Sequence, residues 1–161
     1  MKANSRQADK VQLTISQAMI KARAYCVYQE RYQQEMRDKL YEWGLWKQGV
    51  ESLIAELIST DFINEERYAK TFAGGKFRIK KWGRVKIQIE LKRRNITSYC
   101  IKKGLQEIDE ADYIKTIKKI IADKALKIKD KNPKLRQYKI GQYVISRGFE
   151  PDLVWGQMNI D

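Results

Sequence analysis

One pattern of hydrophobic and polar positions occurs three times along the chain, centred on Gly44, Asn95 and Gly148. In each copy, apolar residues lie eight and four positions before the central residue and one, six and ten positions after it. The second copy is centred 51 residues after the first, and the third is centred 53 residues after the second. A nearly fixed spacing of this length predicts a tandem array of similar supersecondary units, a class of protein that commonly binds other macromolecules.

The spacing within one copy predicts a helix, a tight turn and a second helix. Apolar residues four positions apart lie on one face of a helix, as Met36 and Leu40 would in the first copy. A helix often ends at a residue with positive φ, which glycine adopts freely and asparagine tolerates better than most residues. The later apolar positions then begin the buried face of the next helix. We therefore predict an all-α, elongated and curved array of three three-helix repeats.

Helix-start signals divide the chain into a tail and three repeats. We predict a flexible N-terminal tail over residues 1–15 and a first helix that is capped by Ser16. The repeats then span residues 16–60, 61–109 and 110–161. Further helix starts are expected near Asn64, at Thr97 or Ser98, near Glu110, at Asn132-Pro133 and at Pro151.

The segment 85–91 fits this scheme least well, because its apolar and polar residues alternate as in a half-buried strand. The corresponding segments of the other two copies, 36–40 and 140–144, have helical spacing. Ile87, Leu91 and Ile96 also occupy the apolar positions of the repeat. We therefore predict a helix in this segment too.

The composition argues against an enzyme or a metalloprotein. The 161 residues include no histidine, which is the commonest general base and metal ligand. Cys26 and Cys100 are isolated, so a structural zinc site is excluded; we expect two reduced core thiols, with a disulfide as the alternative. The glycine-rich segment 73–77 lacks the spacing of a phosphate-binding P-loop. We predict no catalytic residue, no cofactor and no metal.

The location and the charge of the chain suggest its class of partner. The sequence has no run of 18 or more apolar residues, and Met1–Asp9 lacks the apolar segment of a signal peptide, so we expect a cytoplasmic protein that does not bind membranes.

The net charge of +13 is uneven: residues 1–75 carry 11 Lys and Arg against 10 Asp and Glu, whereas residues 76–161 carry 22 against 10. This asymmetry favours a polyanionic partner, either nucleic acid or an acidic protein surface; the alternative is a solvated helix face.

The most basic stretch of the chain surrounds a tryptophan. Basic residues around an aromatic ring suit nucleic-acid contact, because the ring can stack on a base; the alternative for Trp82 is packing at a turn. The predicted partner- and DNA-binding residues are Lys76, Arg78, Lys80, Lys81, Trp82, Arg84, Lys86, Arg93 and Arg94. We expect Arg84, Lys86 and Arg93 to be exposed, so that their reversal to Glu abolishes filament binding and leaves the fold intact.

The run DFINEERYAKTF at residues 61–72 and the run KWGRVKIQIELKRRNI at residues 81–96 resemble the centre of the RecX family of bacterial recombinase regulators. The resemblance covers roughly residues 18–158 and is most specific in the middle repeat. The chain departs from the family at Asn95, where glycine is usual, and at Gly74-Gly75, where larger residues are usual. The resemblance implies a helical repeat protein that binds the RecA recombinase on single-stranded DNA and modulates, usually inhibits, its activity.

The expected function is therefore that of a monomeric, non-enzymatic regulator that docks onto the RecA filament through a basic, concave surface. Single- or double-stranded DNA is the second partner that we consider. Two other functions fit the residues: a free-standing helical DNA-binding protein, and a protein scaffold without nucleic-acid contact. RecA ATP hydrolysis on single-stranded DNA is the measurement that separates them.

Overall fold

The structure is a computed structural model, and it describes residues 13–159. Within this range the chain forms α-helices and one π-helical turn, Lys76–Lys80, and no strand. The α-helices are α1 Ile15–Tyr28, α2 Gln33–Glu42, α3 Lys47–Ser59, α4 Glu65–Gly75, α5 Arg84–Arg93, α6 Ser98–Leu105, α7 Glu110–Ala125, α8 Pro133–Ser146 and α9 Pro151–Met158. The predicted fold class, an all-α array of three three-helix repeats, is confirmed.

The first helix begins earlier than predicted. Its N-cap is Thr14 and not Ser16, because the Thr14 side-chain oxygen accepts a hydrogen bond from the Gln17 N–H at 3.2 Å. The Gln17 side chain accepts one from the Thr14 N–H at 2.9 Å, which completes a capping box. Residue 15 of the predicted tail belongs to this helix, and residues 1–12 of the predicted tail lie outside the described range.

The three central residues of the repeat all have the predicted left-handed backbone: φ is 90° at Gly44, 58° at Asn95 and 98° at Gly148. The Gly44 N–H donates to the carbonyl three residues earlier at 2.9 Å, and the next N–H donates to the carbonyl five residues before it at 3.2 Å. The same two bonds at Asn95 measure 3.0 and 3.2 Å. These are the hydrogen bonds of a Schellman cap, which satisfies carbonyls at the helix end. The predicted helix-turn-helix geometry is confirmed.

The apolar positions of the repeat form the cores. All of them are buried except Leu105 and Met158, which are half-buried. The segment 85–91 is helical as predicted: Ile87 and Leu91 are fully buried, whereas Val85 and Ile89 are 40% and 46% exposed. The alternating pattern that suggests a strand arises because these two exposed positions also carry apolar residues.

Two compact units contain the described residues, one up to Asn64 and the other from Glu65 onward. The core of the first unit contains residues of α1, α2 and α3, among them Met36, Leu40 and Leu57. In the second unit the fully buried Tyr113 packs its ring against Phe77 and Phe149, with ring centroids 5.7 and 5.2 Å apart. The boundaries 16–60, 61–109 and 110–161 stay a prediction.

Several sequence expectations concern chemistry rather than fold. Cys26 is buried in the first unit, Cys100 is half-buried in the second, and they are not joined in a disulfide. Between residues 13 and 159, no group of three or more His, Cys, Asp or Glu side chains is arranged to hold a metal ion. In the same range, no helix has both the length and the apolar character needed to span a membrane.

Candidate nucleic-acid and partner interface

Most of the predicted binding residues lie where the chain turns from α4 into α5. Helix α4 continues directly into the π-helical turn, which ends at Lys81 in the left-handed conformation with φ of 56°. The Lys81 N–H and the Trp82 N–H donate back to carbonyls of the turn at 3.1 and 3.2 Å. Gly83 then caps α5. π-Helical turns are rare in proteins, and many of those that occur lie at functional sites. This junction is therefore a candidate functional site.

Two aromatic rings and three cations meet at this junction, and we call them the Trp82 cluster. The rings of Phe72 and Trp82 pack edge to face, with centroids 6.3 Å apart. The Lys76 Nζ lies 5.0 Å from the Trp82 ring centre, and the Lys86 Nζ lies 4.4 Å from it. The Arg94 guanidinium lies 4.7 Å from the Phe72 ring centre. Both rings are half-buried, so part of each remains accessible.

The Trp82 cluster has the chemistry of a nucleic-acid contact. A lysine over an exposed ring gains only about 0.5–1 kcal/mol, so its ammonium can exchange that ring for a phosphate at little cost. Lys76 and Lys86 form no ion pair with a carboxylate among residues 13–159, so their charges are available to an anion. The packing alternative for Trp82 is also partly true, because the ring contacts Phe72. A half-buried ring can both anchor a turn and stack on a base.

Arg84 is half-buried, whereas the sequence predicted it to be exposed. Its side chain is only 26% exposed, and its guanidinium pairs with Glu110 at 3.0 Å and with Glu150 at 3.3 Å. The same guanidinium lies 3.9 Å from the ring centre of Tyr113. The Tyr113 hydroxyl donates to Glu150 at 2.6 Å and accepts from the Arg84 N–H at 3.0 Å. These contacts favour a stabilising role for Arg84 in the second unit, and they lead us to expect that its reversal destabilises the fold.

This network also fixes the protonation of Tyr113. Burial is the main cause that raises the pKa of the Tyr113 hydroxyl far above its ordinary value, and the hydrogen bond to Glu150 adds to it. Burial opposes the charged form of Arg84, but the hydrogen bonds to Glu110 and Tyr113 outweigh it and raise the pKa of the guanidinium. The hydroxyl is thus neutral and the guanidinium charged in the folded protein at ordinary pH.

Arg93 and Arg94 share one carboxylate at the end of α5. Glu90 lies 2.8 Å from the Arg93 guanidinium and 3.1 Å from that of Arg94, and the hydrogen bond from Arg94 is the main cause that lowers the pKa of Glu90. The Arg93 side chain is 71% exposed, whereas that of Arg94 is 26% exposed. Arg93 is therefore accessible to a partner. Arg94 is less accessible, and it belongs to the Trp82 cluster through its contact with the Phe72 ring.

The remaining predicted residues, Arg78, Lys80 and Lys81, are exposed on or just after the π-helical turn. The Arg78 guanidinium folds back over Gly74, where an added Cβ would lie 2.8 Å from one of its nitrogens. The Lys80 carbonyl accepts a hydrogen bond from the Arg147 side chain of α8's C-cap. The hydrogen bond from Arg147 thus holds the end of the turn. At its other end, the absence of a side chain at Gly74 leaves room for the Arg78 guanidinium.

Phe72 is not among the residues that the sequence predicts for binding, but its ring lies in the Trp82 cluster. The signal was available, because Phe72 and Lys76 are four residues apart and therefore adjacent on a helix surface. The partners of Arg84 had no such signal. Glu110 lies 26 residues away along the chain and Glu150 lies further still, so only the folded structure brings them together.

The segment that contains the Trp82 cluster matches the model of a known protein family. Residues 64–105, which include the whole Trp82 cluster, match the family model described as RecX, second three-helix domain. Two solved structures are similar to this chain. A RecX from Lactobacillus salivarius has a TM-score of 0.82 at 22% identity and covers 89% of this chain and 94% of its own. A second regulatory protein RecX has a TM-score of 0.75 at 18% identity and covers 95% and 76%.

Curated relatives with the name regulatory protein RecX are similar in sequence. The Streptococcus uberis protein is 28% identical over 131 residues, which are 81% of this chain and 50% of the relative. The Clostridium perfringens strain 13 protein is 29% identical over 122 residues, 74% of this chain and 57% of the relative. The Thermotoga petrophila protein is 28% identical, with 79% and 73% covered. The chain spans about half the length of the first of these relatives, and the predicted resemblance to RecX is confirmed.

Proposed function

We propose that this chain, which is similar in sequence and fold to regulatory proteins of the RecX family, binds the RecA filament on single-stranded DNA and regulates it. The regulation is mainly inhibition of RecA's ATP hydrolysis and strand exchange. The observation that carries the proposal is the coincidence of two features: residues 64–105 match the family model, and this same segment contains the Trp82 cluster.

The chemistry of the cluster supports a filament partner. A nucleoprotein filament presents phosphates and acidic side chains along its length, and both attract the ammonium groups of the half-buried Lys76 and Lys86. The Trp82 ring offers a stacking surface for an unpaired base. A basic protein that covers the DNA of a filament excludes a second DNA molecule from it. Binding alone therefore accounts for slower strand exchange, and no catalytic group is required.

We further propose where the protein acts and in which oligomeric form. It works in the cytoplasm, where RecA acts on DNA, and it works as a monomer without a cofactor. The relatives are named as regulatory proteins rather than enzymes, which agrees with regulation by binding.

A second candidate function is DNA binding that does not depend on RecA. The Trp82 cluster supports this function as well as it supports filament binding, because aromatic rings and cations recognise bare single-stranded DNA by the same contacts. In that case the protein would slow RecA only by competing for DNA. Order of addition distinguishes the two candidates, since a competitor has little effect on a filament that is already assembled.

The test is a titration of this protein into preassembled RecA filaments, with ATP hydrolysis and strand exchange as the readouts. We expect both rates to fall as the protein is added up to stoichiometric amounts. Unchanged rates at stoichiometric amounts, together with tight binding to bare DNA, would replace the proposal by the second candidate.

A further inference from the structure

We infer that the second unit contains a separate phosphate-binding pocket, formed by Lys81, Lys124, Lys127 and Arg147, which holds the backbone of single-stranded nucleic acid next to the Trp82 cluster. Of these residues only Lys81 was predicted as a binding residue from the sequence. The inference rests on the proposed function only in taking DNA as a partner, and it adds a direct contact with the DNA backbone at a site outside the Trp82 cluster.

The charge of the pocket points to an anion. Its lining carries four cationic side chains and a single carboxylate, that of Asp123. This carboxylate lies 3.8 Å from the Lys119 ammonium, so it is already partly neutralised by a residue outside the pocket lining. The pocket therefore has an excess positive charge of about three, and such a concave cluster of one sign concentrates counter-ions.

The cations of the pocket are held without carboxylate partners. Lys81, Lys124 and Lys127 form no ion pair among residues 13–159, in contrast to Arg84 and Lys139, each of which pairs with a carboxylate. The Lys124 Nζ lies 4.1 Å from the ring centre of Tyr143, which positions the ammonium and does not neutralise it. Like-charged groups that are gathered without counter-charges are the arrangement expected for an anion site.

The backbone also positions the pocket. Arg147 donates from its side chain to the carbonyl of Lys80, and this bond ties the end of α8 to the π-helical turn. Lys81 adopts the left-handed conformation immediately after that turn. Lys81 and Trp82 are consecutive residues, so one member of the pocket and the ring of the Trp82 cluster follow each other along the chain. A nucleic-acid strand that contacts both sites would place a base on Trp82 and its phosphates in the pocket.

The size of the cavity is compatible with a phosphate group. Its volume is about 210 Å³. Because one water takes about 30 Å³ of liquid volume, the cavity holds roughly seven waters, which is room for a phosphate and part of its hydration shell. The phosphodiester backbone of a nucleic acid and free phosphate or polyphosphate share this chemistry, and the experiment below separates them.

The test measures binding of the full chain to a labelled oligothymidylate, without RecA, by fluorescence anisotropy over a range of salt concentrations. The pocket variant combines Lys124→Ala with Lys127→Ala. The matched control combines Lys115→Ala with Lys118→Ala, which removes two exposed charges from α7, the helix of Lys124, outside the pocket. Thermal unfolding of both variants checks that each remains folded.

The expected result is a loss of affinity of about tenfold or more for the pocket variant at low salt, with a salt slope smaller by about 1.4, since each contact with a single strand contributes about 0.7. The control should keep most of the wild-type slope. An oligonucleotide without bases should show the same dependence on the pocket, because the pocket contacts the backbone and not the bases.

Two results would overturn the inference. Equal salt slopes for the pocket and control variants would mean that the DNA backbone lies elsewhere. Stabilisation of the wild type by inorganic phosphate or tripolyphosphate, lost in the pocket variant and without any oligonucleotide binding, would assign the pocket to a free phosphate compound instead. Neither result decides the proposed function, because slowing of preassembled RecA filaments is measured separately and can persist in the pocket variant.

Discussion

The backbone of Gly83 lies directly against the backbone of Gly148. The Gly83 N–H donates to the Arg147 carbonyl at 2.9 Å, and the Val85 N–H donates to the Gly148 carbonyl at the same distance. A Cβ added to Gly83 would lie 2.2 Å from the carbonyl carbon and oxygen of Gly148, which is far closer than any non-bonded contact. The start of α5 and the end of α8 therefore meet with no side chain between them.

We predict that Gly83→Ala lowers the free energy of unfolding by about 1–3 kcal/mol or more, because the new methyl group must displace backbone rather than a side chain. The matched control is Gly75→Ala. Gly75 has helical φ and ψ of −66° and −47°, and no atom lies within 4 Å of an added Cβ. This substitution should raise the stability by about 0.5–1 kcal/mol. Chemical denaturation measures both, and similar effects of the two variants would contradict the described contact.

The left-handed turn at Asn95 gives a second prediction. Asn95→Ala should destabilise the protein by about 1–2 kcal/mol, since alanine pays the full cost of a φ near 58°. Asn95→Gly should be at least as stable as the wild type, because glycine accepts this conformation freely. The two variants are compared by thermal unfolding. An alanine variant as stable as the glycine variant would show that the backbone at this turn is not constrained.

A third prediction separates the structural arginine from the accessible one. Arg84→Glu should lower the free energy of unfolding by about 2 kcal/mol or more, because it places a third carboxylate beside Glu110 and Glu150. Arg93→Glu makes the same charge change on a side chain that is 71% exposed, and it should cost less than about 1 kcal/mol. Urea denaturation of the two variants at low salt is the measurement. Equal costs would place Arg84 on the surface, as the sequence suggested.

A fourth prediction concerns alkaline pH. Because the pKa of Tyr113 is raised in the folded state, its contribution to stability is fully present below the unfolded pKa of about 10 and is lost as pH rises through the higher folded value. Between these two values, wild-type stability should fall by up to about 1.4 kcal/mol per pH unit from this residue. In Tyr113→Phe that part of the slope should be absent, at the cost of the hydrogen bonds to Glu150 and Arg84 at neutral pH. Urea denaturation at several alkaline pH values measures the difference, and parallel slopes for the two proteins would refute it.

Periodicity predicts the fold well because each repeat encodes it locally. The left-handed residue, the apolar residue after it and the paired apolar positions before it all lie within a few residues of one another, as at Asn95, Ile96, Leu91 and Ile87. Helix capping was harder to predict, since Thr14 and Ser16 are both good caps and only the reciprocal bonds with Gln17 select Thr14. No feature of the sequence predicted the π-helical turn, because the hydrogen-bond pattern of one such turn does not produce a recognisable spacing of apolar residues.

The candidate site was predictable in composition and not in geometry. The basic run around Trp82 is visible in the sequence, but its division into accessible and structural members depends on distant partners, such as Glu150 for Arg84. The pocket around Lys124 and Lys127 was missed because its members come from α7 and the turn after it, the end of α8 and the π-helical turn. Charge counts locate a basic region, and only tertiary packing decides which charges are left without partners.

The most direct test of the central claim is the rate of ATP hydrolysis by preassembled RecA filaments on single-stranded DNA, measured as this protein is added. Three proteins are compared: the wild type, Lys76→Glu with Lys86→Glu in the Trp82 cluster, and Lys115→Glu with Lys118→Glu as the matched control on α7. We expect the wild type and the control to slow hydrolysis, and the cluster variant to need about tenfold more protein or greater amounts, since it loses two phosphate contacts. A wild type that leaves hydrolysis unchanged at stoichiometric amounts would contradict the RecA claim, and equal potency of the two variants would contradict the assignment of the Trp82 cluster.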